Sequence, residues 1–379
     1  MRLLTLAFVT MALTSSSLPV SHSSGTGKRD LARMAIYYGY PSLVNGSSGD
    51  VEKAARTFSA YDVVVWGDGI EFSDRQAGRR PEGDPEEHQK ALGIMTAARR
   101  HNPGTRFYGY VCLGEIPSAK GESVALTPAE LEDRIRWWKG MGVTGIFLDE
   151  AGYDYAAITR QRQNLAVGFI HELGLSAFMN AYFVDDLFSL ENNPPYAHGS
   201  DKNPQHLPPL LDHRDLFLLE SFQVKNGDYE GVAAWQKRLT QALACRRRYG
   251  SKIFAVTTTR KGQPFASAKF AYALWSAGLY DLDGFGWGEP DFAAGDNLLP
   301  ARSCDPEDRI LPALQASSPV ASDNARFWRQ AKDFIVVVDT NDHSVRRLPL
   351  TGSANAEDRA VELGSAHQGV RLSCGDADE

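Results

Sequence analysis

Short apolar runs bounded by glycine, proline and polar residues recur along this chain, and stretches of helical periodicity fill the gaps between them. Runs at Met34–Tyr38, Asp62–Trp66, Arg106–Leu113, Gly145–Asp149, Ser176–Tyr182, Leu216–Phe222, Lys252–Thr258 and Gly284–Trp287 read as buried strands. Helical stretches are Asp50–Phe58, Glu86–Arg100, Thr127–Met141, Leu165–Leu173, Tyr229–Tyr249 and Ala266–Ala277. Thr127-Pro128-Ala129-Glu130 has the form of a capping box with proline at the first helical position. Leu165, Phe169 and Leu173 fall four apart on one face, and Gly174 follows as a stop.

Eight strands, each followed by a helix or a long crossover, predict an α/β fold: a (β/α)8 TIM barrel over residues 34–300. A doubly wound open sheet is the structural alternative. It is disfavoured because no glycine-rich turn follows the first strand.

After residue 301 the helical periodicity stops. Phe334–Asp339, a turn at Thr340-Asn341-Asp342, Ser344–Leu350, Ala360–Leu363 and Gly369–Cys374 predict a small antiparallel β unit over residues 301–379. It is too small to build a sizeable core alone, so it is expected to pack on the barrel. The acidic tail Gly375–Glu379 is expected to fray.

The first residues change the picture in another way. Arg2, the apolar run Leu3–Leu13 and the small polar residues to Gly25 fit a secretory signal peptide over residues 1–25. That run is too short to span a bilayer, and no later segment is apolar enough to do so. The expected location is therefore secreted, periplasmic or at the cell surface. In an exported chain Cys304 and Cys374 can pair, whereas Cys112, inside a strand, reads as packing.

The chain has 379 residues, of which 43% are hydrophobic and 23% charged, as in a globular protein. A net charge of −7 argues against nucleic acid and against an anionic membrane surface as partners. Two barrel loops are long. One, from Gly67 to Pro85, carries Asp68, Glu71, Asp74, Arg79 and Arg80; the other, from Phe183 to Asp212, is rich in proline. His198, His206 and His213, in or just after the second loop, do not match metal-ligand spacings.

The stretch that suggests chemistry is Gly145–Tyr155, an apolar run ending in Asp149 and Glu150, with Asp154 between tyrosines. Further acids follow other strands: Glu115, Glu220 and Glu289. Carboxyl groups at the carboxyl ends of several barrel strands are what glycosidic cleavage needs. One protonates the departing oxygen, and the other attacks the anomeric carbon or activates water. Alternation puts Leu216, Leu218 and Glu220 on one face, and Phe147 with Asp149 on one face. Asp149 is therefore expected inward as nucleophile or base, Glu220 as general acid in an apolar setting, and Glu150 turned toward the loop in support. Such chemistry requires no metal and no organic cofactor.

Tyr37, Tyr38, Tyr40, Trp66, Tyr108, Tyr110, Tyr153, Tyr155, Tyr182, Phe222 and Trp287 fall at or near strand ends and suit stacking on sugar rings, with Tyr37, Trp66, Tyr153 and Trp287 the ones expected to contact the substrate. Asp68, Glu115, Asp154, Asn180 and Glu289 are expected to contact the substrate, Asn180 by holding a hydroxyl or orienting a carboxylate. The expected partner is a polysaccharide or oligosaccharide.

Gly145–Glu150 resembles the signature of the spherulin-like and endo-α-1,4-polygalactosaminidase barrels. Ile36–Pro41, Tyr108–Val111, Asn180 and Glu220-Ser221-Phe222 follow the order of that pattern, so the resemblance covers roughly residues 34 to 260. It implies a (β/α)8 fold and hydrolysis of galactosamine-containing polysaccharide, with Asp149 and Glu220 at the family's acidic positions. The chain departs from the pattern at Asn180-Ala181-Tyr182, and in having Glu150 or Asp154 for the second acid after the fourth strand. These readings point to an exported, endo-acting glycoside hydrolase. A non-catalytic carbohydrate-binding barrel at the cell surface is the alternative. No Walker pattern, no Gly-x-Ser-x-Gly elbow and no His-Glu-x-x-His motif occurs.

Overall fold

The computed structural model describes residues 31–67, 85–117, 122–302, 320–323, 325–330, 334–349 and 370–371. Eight parallel strands close into a barrel: β1 (Ala32–Tyr37), β2 (Val63–Trp66), β3 (Arg106–Cys112), β4 (Gly145–Asp149), β5 (Ser176–Asn180), β6 (Leu216–Leu219), β7 (Lys252–Val256) and β8 (Gly284–Gly286). Each pairs with its sequence neighbours, and β8 closes the ring on β1. The architecture is the TIM barrel expected from the spacing of apolar runs.

Helices α1 (Val51–Ser59), α2 (Pro85–His101), α3 (Pro128–Gly140), α4 (Arg160–Glu172), α5 (Asp185–Phe188), α6 (Val232–Tyr249) and α7 (Ser267–Leu279) occupy the crossovers. Local chemistry fixes their ends. Asp50 accepts from the Lys53 amide at 3.0 Å and starts α1. The capping box at α3 forms, with the Glu130 amide on Thr127 Oγ1 at 3.3 Å and the Thr127 amide on Glu130 Oε2 at 2.8 Å.

Strand alternation divides the apolar residues into two layers. Met34, Ile36, Val63, Val65, Tyr108, Phe147, Phe178, Leu216, Leu218, Phe254 and Val256 fill the barrel interior. Their neighbours in sequence, such as Ala35, Val64, Ile146, Leu148 and Phe217, face the helices. Gly145 lies at a crowded point of the interior layer. A Cβ there would sit 2.3 Å from the Ser176 carbonyl oxygen and 2.5 Å from the Tyr108 ring. Because the carbonyl belongs to the paired strand β5, it cannot yield cheaply. Gly145→Ala is therefore expected to cost about 3 kcal/mol, the upper end of ordinary overpacking. Thermal unfolding would record a Tm lower by roughly 6–12 °C for a domain of this size.

The C-terminal strands β9 (Ala321–Ser322), β10 (Arg326–Gln330), β11 (Phe334–Asp339), β12 (Ser344–Pro349) and β13 (Val370–Arg371) form an antiparallel sheet in that order. It docks on the α6–α7 side of the barrel. Phe327 packs edge-on against Trp235 of α6 at 5.3 Å, and buried Arg329 donates to the Leu279 carbonyl at the end of α7 and pairs with Asp281 at 2.8 Å. The sheet confirms the β-rich character expected of this region, with β11 and β12 where the alternation put them. The leader pattern of residues 1–25, the Cys304–Cys374 pairing, Ala360–Leu363 and the tail Gly375–Glu379 lie outside the described residues. So do Asp68, Glu71, Asp74, Arg79 and Arg80 of the loop after β2. No described helix is long and apolar enough to cross a membrane.

Candidate active site

At the carboxyl end of the barrel a pocket of about 370 Å³ opens above the interior layer. Its floor is Ile36, Phe147 and Leu218, and its walls bring together Asp149, Glu150, Asp154, Asn180 and Glu220 with Tyr38, Tyr155, Tyr182 and Phe292.

The strand order decides which acids meet. β5 lies between β4 and β6, so Asn180 at its end stands between Asp149 at the end of β4 and Glu220 just past β6. One nitrogen of Asn180, Nδ2, donates to Asp149 Oδ1 at 2.8 Å and to Glu220 Oε2 at 2.8 Å. Two oxygens that share a donor at that distance are no more than about 5.6 Å (twice 2.8 Å) apart. The two carboxyl groups thus face one another across a single amide, drawn from separate strands.

Their surroundings differ. Asp149 Oδ1 also accepts from the Glu150 amide at 2.9 Å, and Tyr38 OH approaches its Oδ2 at 3.4 Å. Burial pushes the Asp149 carboxyl above the usual carboxylate range, opposed by these donors and by Tyr110. Burial likewise pushes Glu220 up, and the Asp149 charge adds to the effect, with Asn180 opposing. Among the described residues, the Glu220 carboxylate has one side-chain donor, Asn180. Asp149 receives more protein donors than Glu220, while the Arg238 and Lys225 charges draw the Glu220 carboxyl downward against its burial. Burial together with the two acids keeps the Tyr38 phenol protonated.

Glu150 turns away from the strand line. Its φ of 53° ends β4 in the left-handed region, and its Oε2 accepts from the Cys112 thiol at 3.3 Å. A Cβ on Gly114 would come within 2.4 Å of that oxygen, so the glycine leaves room for the carboxylate. Burial raises the carboxyls of both Glu150 and Asp154. On the other side of the mouth, Asp291, Phe292 and Ala293 all have positive φ, and the Phe292 carbonyl accepts from the Tyr38 amide at 2.8 Å. This turn sets the Phe292 ring against Tyr38 at 5.3 Å.

The remaining sequence candidates sit elsewhere. Tyr37 is fully buried on the helix side, donating to the Tyr40 carbonyl and Asn297, with its ring against Phe58. Trp66 is buried between Phe58 and Phe107. Tyr153 is 1% exposed in the turn after β4. Trp287 packs on Phe265 and Phe270, and Glu289 pairs with Arg302 at 2.8 Å, both lining a smaller cavity between β1, β8 and α7. Glu115 opens a two-stranded hairpin, Glu115–Pro117 with Ser123–Ala125, beside the mouth. Tyr38, Tyr155 and Tyr182, from the wider set of strand-end aromatics, line the pocket in place of the four preferred ones, and so does Phe292, which lay outside that set. For Tyr38 the signal was available: it continues the inward series Met34, Ile36, Tyr38, whereas Tyr37 and Trp66 have the opposite parity.

Among the described residues, His171, Asp212 and Asp215 could offer ligand atoms to a metal, at the opposite end of the barrel. The group is internally satisfied: His171 Nε2 lies 3.0 Å from both Asp215 oxygens, the Ala177 and Asp212 amides donate to Asp215, and Arg214 pairs with Asp212.

No protein-family profile matches the chain, and no curated protein matches it in sequence. Solved structures are similar to the chain at low identity. An endo-beta-1,4-glucanase from Xanthomonas axonopodis pv. citri is 11% identical, with a TM-score of 0.42 over 74% of this chain and 97% of that one. An alpha-amylase from Geobacillus thermoleovorans, complexed with acarbose, is 10% identical, with a TM-score of 0.46 over 84% of this chain and 94% of that one. A beta-N-acetylhexosaminidase from Bacteroides fragilis is 11% identical, with a TM-score of 0.42 over 71% of this chain and 63% of that one. At this level the likeness concerns architecture and does not extend to substrate or mechanism.

Proposed function

We propose that the protein is a glycoside hydrolase that cuts a polysaccharide between Asp149 and Glu220. The observation that carries this reading is the Asn180 bridge, which holds two carboxyl groups from different strands across one open pocket. Glu220, whose carboxyl burial and the Asp149 charge push upward, gives its proton to the departing glycosidic oxygen. Asp149, ionised and hydrogen-bonded, attacks the anomeric carbon. A spacing within about 5.6 Å leaves the second carboxylate close enough to bond to the sugar itself rather than through a water. Water then enters, Glu220 takes its proton, and the glycosyl–Asp149 ester is cleaved. Tyr38 and Asn180 hold Asp149 in line.

The rest of the pocket favours an amino sugar. Glu150 and Asp154 add two carboxyls beyond the pair needed for cleavage, and among the described residues no Lys or Arg lines the wall, Lys225 and Arg238 standing behind Tyr182. An ammonium group on the substrate would neutralise that surplus, whereas a uronic acid would add to it. Tyr155 and Phe292 supply faces for pyranose rings. An exported location fits the leader pattern of residues 1–25.

The test is to incubate the purified protein with extracellular polysaccharides that do and do not carry free amino groups, and to analyse released oligosaccharides by mass spectrometry. The expected result is release from the amino-sugar polymers. Tight binding of such a polymer with no product would replace this reading with a binding barrel.

A further inference from the structure

The loop between β5 and β6 buries a lysine that serves no carboxylate directly. Lys202 is 1% exposed. Its ammonium donates to the carbonyls of Tyr155 at 2.9 Å, Ala156 at 3.0 Å and Ile158 at 3.0 Å. An ammonium has three protons, and all three are used on one turn of backbone. That turn joins β4 to α4 and carries Asp154 and Tyr155 into the pocket wall.

The main chain of the loop grips the same turn. The Lys202 carbonyl accepts from the Arg160 amide at 2.8 Å, in the first turn of α4, and the His198 amide donates to the Tyr153 carbonyl at 2.8 Å. Lys202 is itself anchored, its amide donating to Asn193 Oδ1 at 3.1 Å. Three carbonyls converging on one positive charge make an internal cation site in which the cation is covalently part of the chain. The charges that face it, Asp186, Asp154 and Glu115, oppose the loss of its proton on burial.

We propose that Lys202 is a positioning residue: its ammonium holds the β4–α4 turn closed so that Asp154 and Tyr155 stand in the wall of the Asp149–Glu220 pocket. Without it the Ala156 and Ile158 carbonyls lose the ammonium, the Tyr155 carbonyl keeps only the Ile158 amide at 3.2 Å, and the turn opens to admit water. Asp154 and Tyr155 then leave their places, while Asp149, Asn180 and Glu220, set by strand ends, stay. The kinetic consequence rests on the hydrolase reading; the structural consequence does not.

The experiment compares wild type, Lys202→Met and Lys202→Arg as full-length protein. In Lys202→Met, amide hydrogen exchange over residues 151–160 rises about tenfold or more, while peptides from β1 and β8 keep their rates. KM for the polysaccharide rises about tenfold with kcat within about threefold, because lost wall contacts weaken binding without touching the reacting pair. Lys202→Arg, which keeps charge and donors, recovers most of both changes. Should Lys202→Met not fold, Lys202→Gln, with two donors in place of three, gives the same readings at smaller amplitude. Unchanged exchange in the turn overturns the proposal. So does faster exchange accompanied by a lower Tm and an unaltered KM. A wild-type protein that turns over no polysaccharide counts against the hydrolase reading, and the exchange arm still decides the role of Lys202.

Discussion

Glu220→Gln and Asp149→Asn are each expected to lower kcat by about 10³-fold or more while the barrel remains folded. Glutamine keeps the shape of Glu220 and its contact with Asn180, but has no proton to give the leaving oxygen. General acid assistance alone is worth about 10²–10⁴-fold. Asparagine at position 149 can neither attack the anomeric carbon nor balance the positive charge that develops there. The two variants should separate on a substrate with an activated leaving group, which needs no proton. Glu220→Gln then regains the first step and Asp149→Asn does not. Steady-state kinetics with circular dichroism as the folding control checks both. Near-normal turnover in either variant would remove that residue from the mechanism.

Asn180→Leu has the next largest effect. The Asn180 amide donates to both acids at 2.8 Å, so it stabilises the ionised form of each. Its loss removes charge-assisted hydrogen bonds worth about 1.5–3 kcal/mol, a fall in rate of roughly 10- to 100-fold. The sign of the pH effect follows from the direction of each shift. Asn180 lowers both carboxyls against the rise caused by burial, so removing it lets both rise further. Activity requires Asp149 ionised and Glu220 protonated. The acidic limb of the rate profile, set by protonation of Asp149, therefore moves to higher pH, and the alkaline limb, set by ionisation of Glu220, moves up with it. A profile that moved to lower pH, or kept its place, would show that Asn180 does not tune the pair.

The barrel was legible because its strands are apolar on both faces and bounded by turn residues, which separates them from amphipathic helices. The C-terminal strand Arg326–Gln330 was not. Its buried position 329 is an arginine, satisfied by Asp281 and the Leu279 carbonyl, so the apolar alternation is broken where the strand is most buried. In the site, parity did most of the sorting. Asp149 and Glu220 continue inward series, and the structure brings them to one amide. The same parity applied to the aromatics selects Tyr38 and turns Tyr37 and Trp66 toward the helices. Phe292 depends on a run of left-handed residues, and Lys202 on three carbonyls some forty-five residues away. Neither leaves a local pattern, because both arise from tertiary closure.

The most direct measurement is proton nuclear magnetic resonance of the newly formed reducing end during the first minutes of hydrolysis, before mutarotation. A carboxylate pair held by one amide predicts that the new end keeps the anomeric configuration of the bond that was cut. An inverted product would mean that water, not Asp149, reaches the anomeric carbon, and would contradict the account.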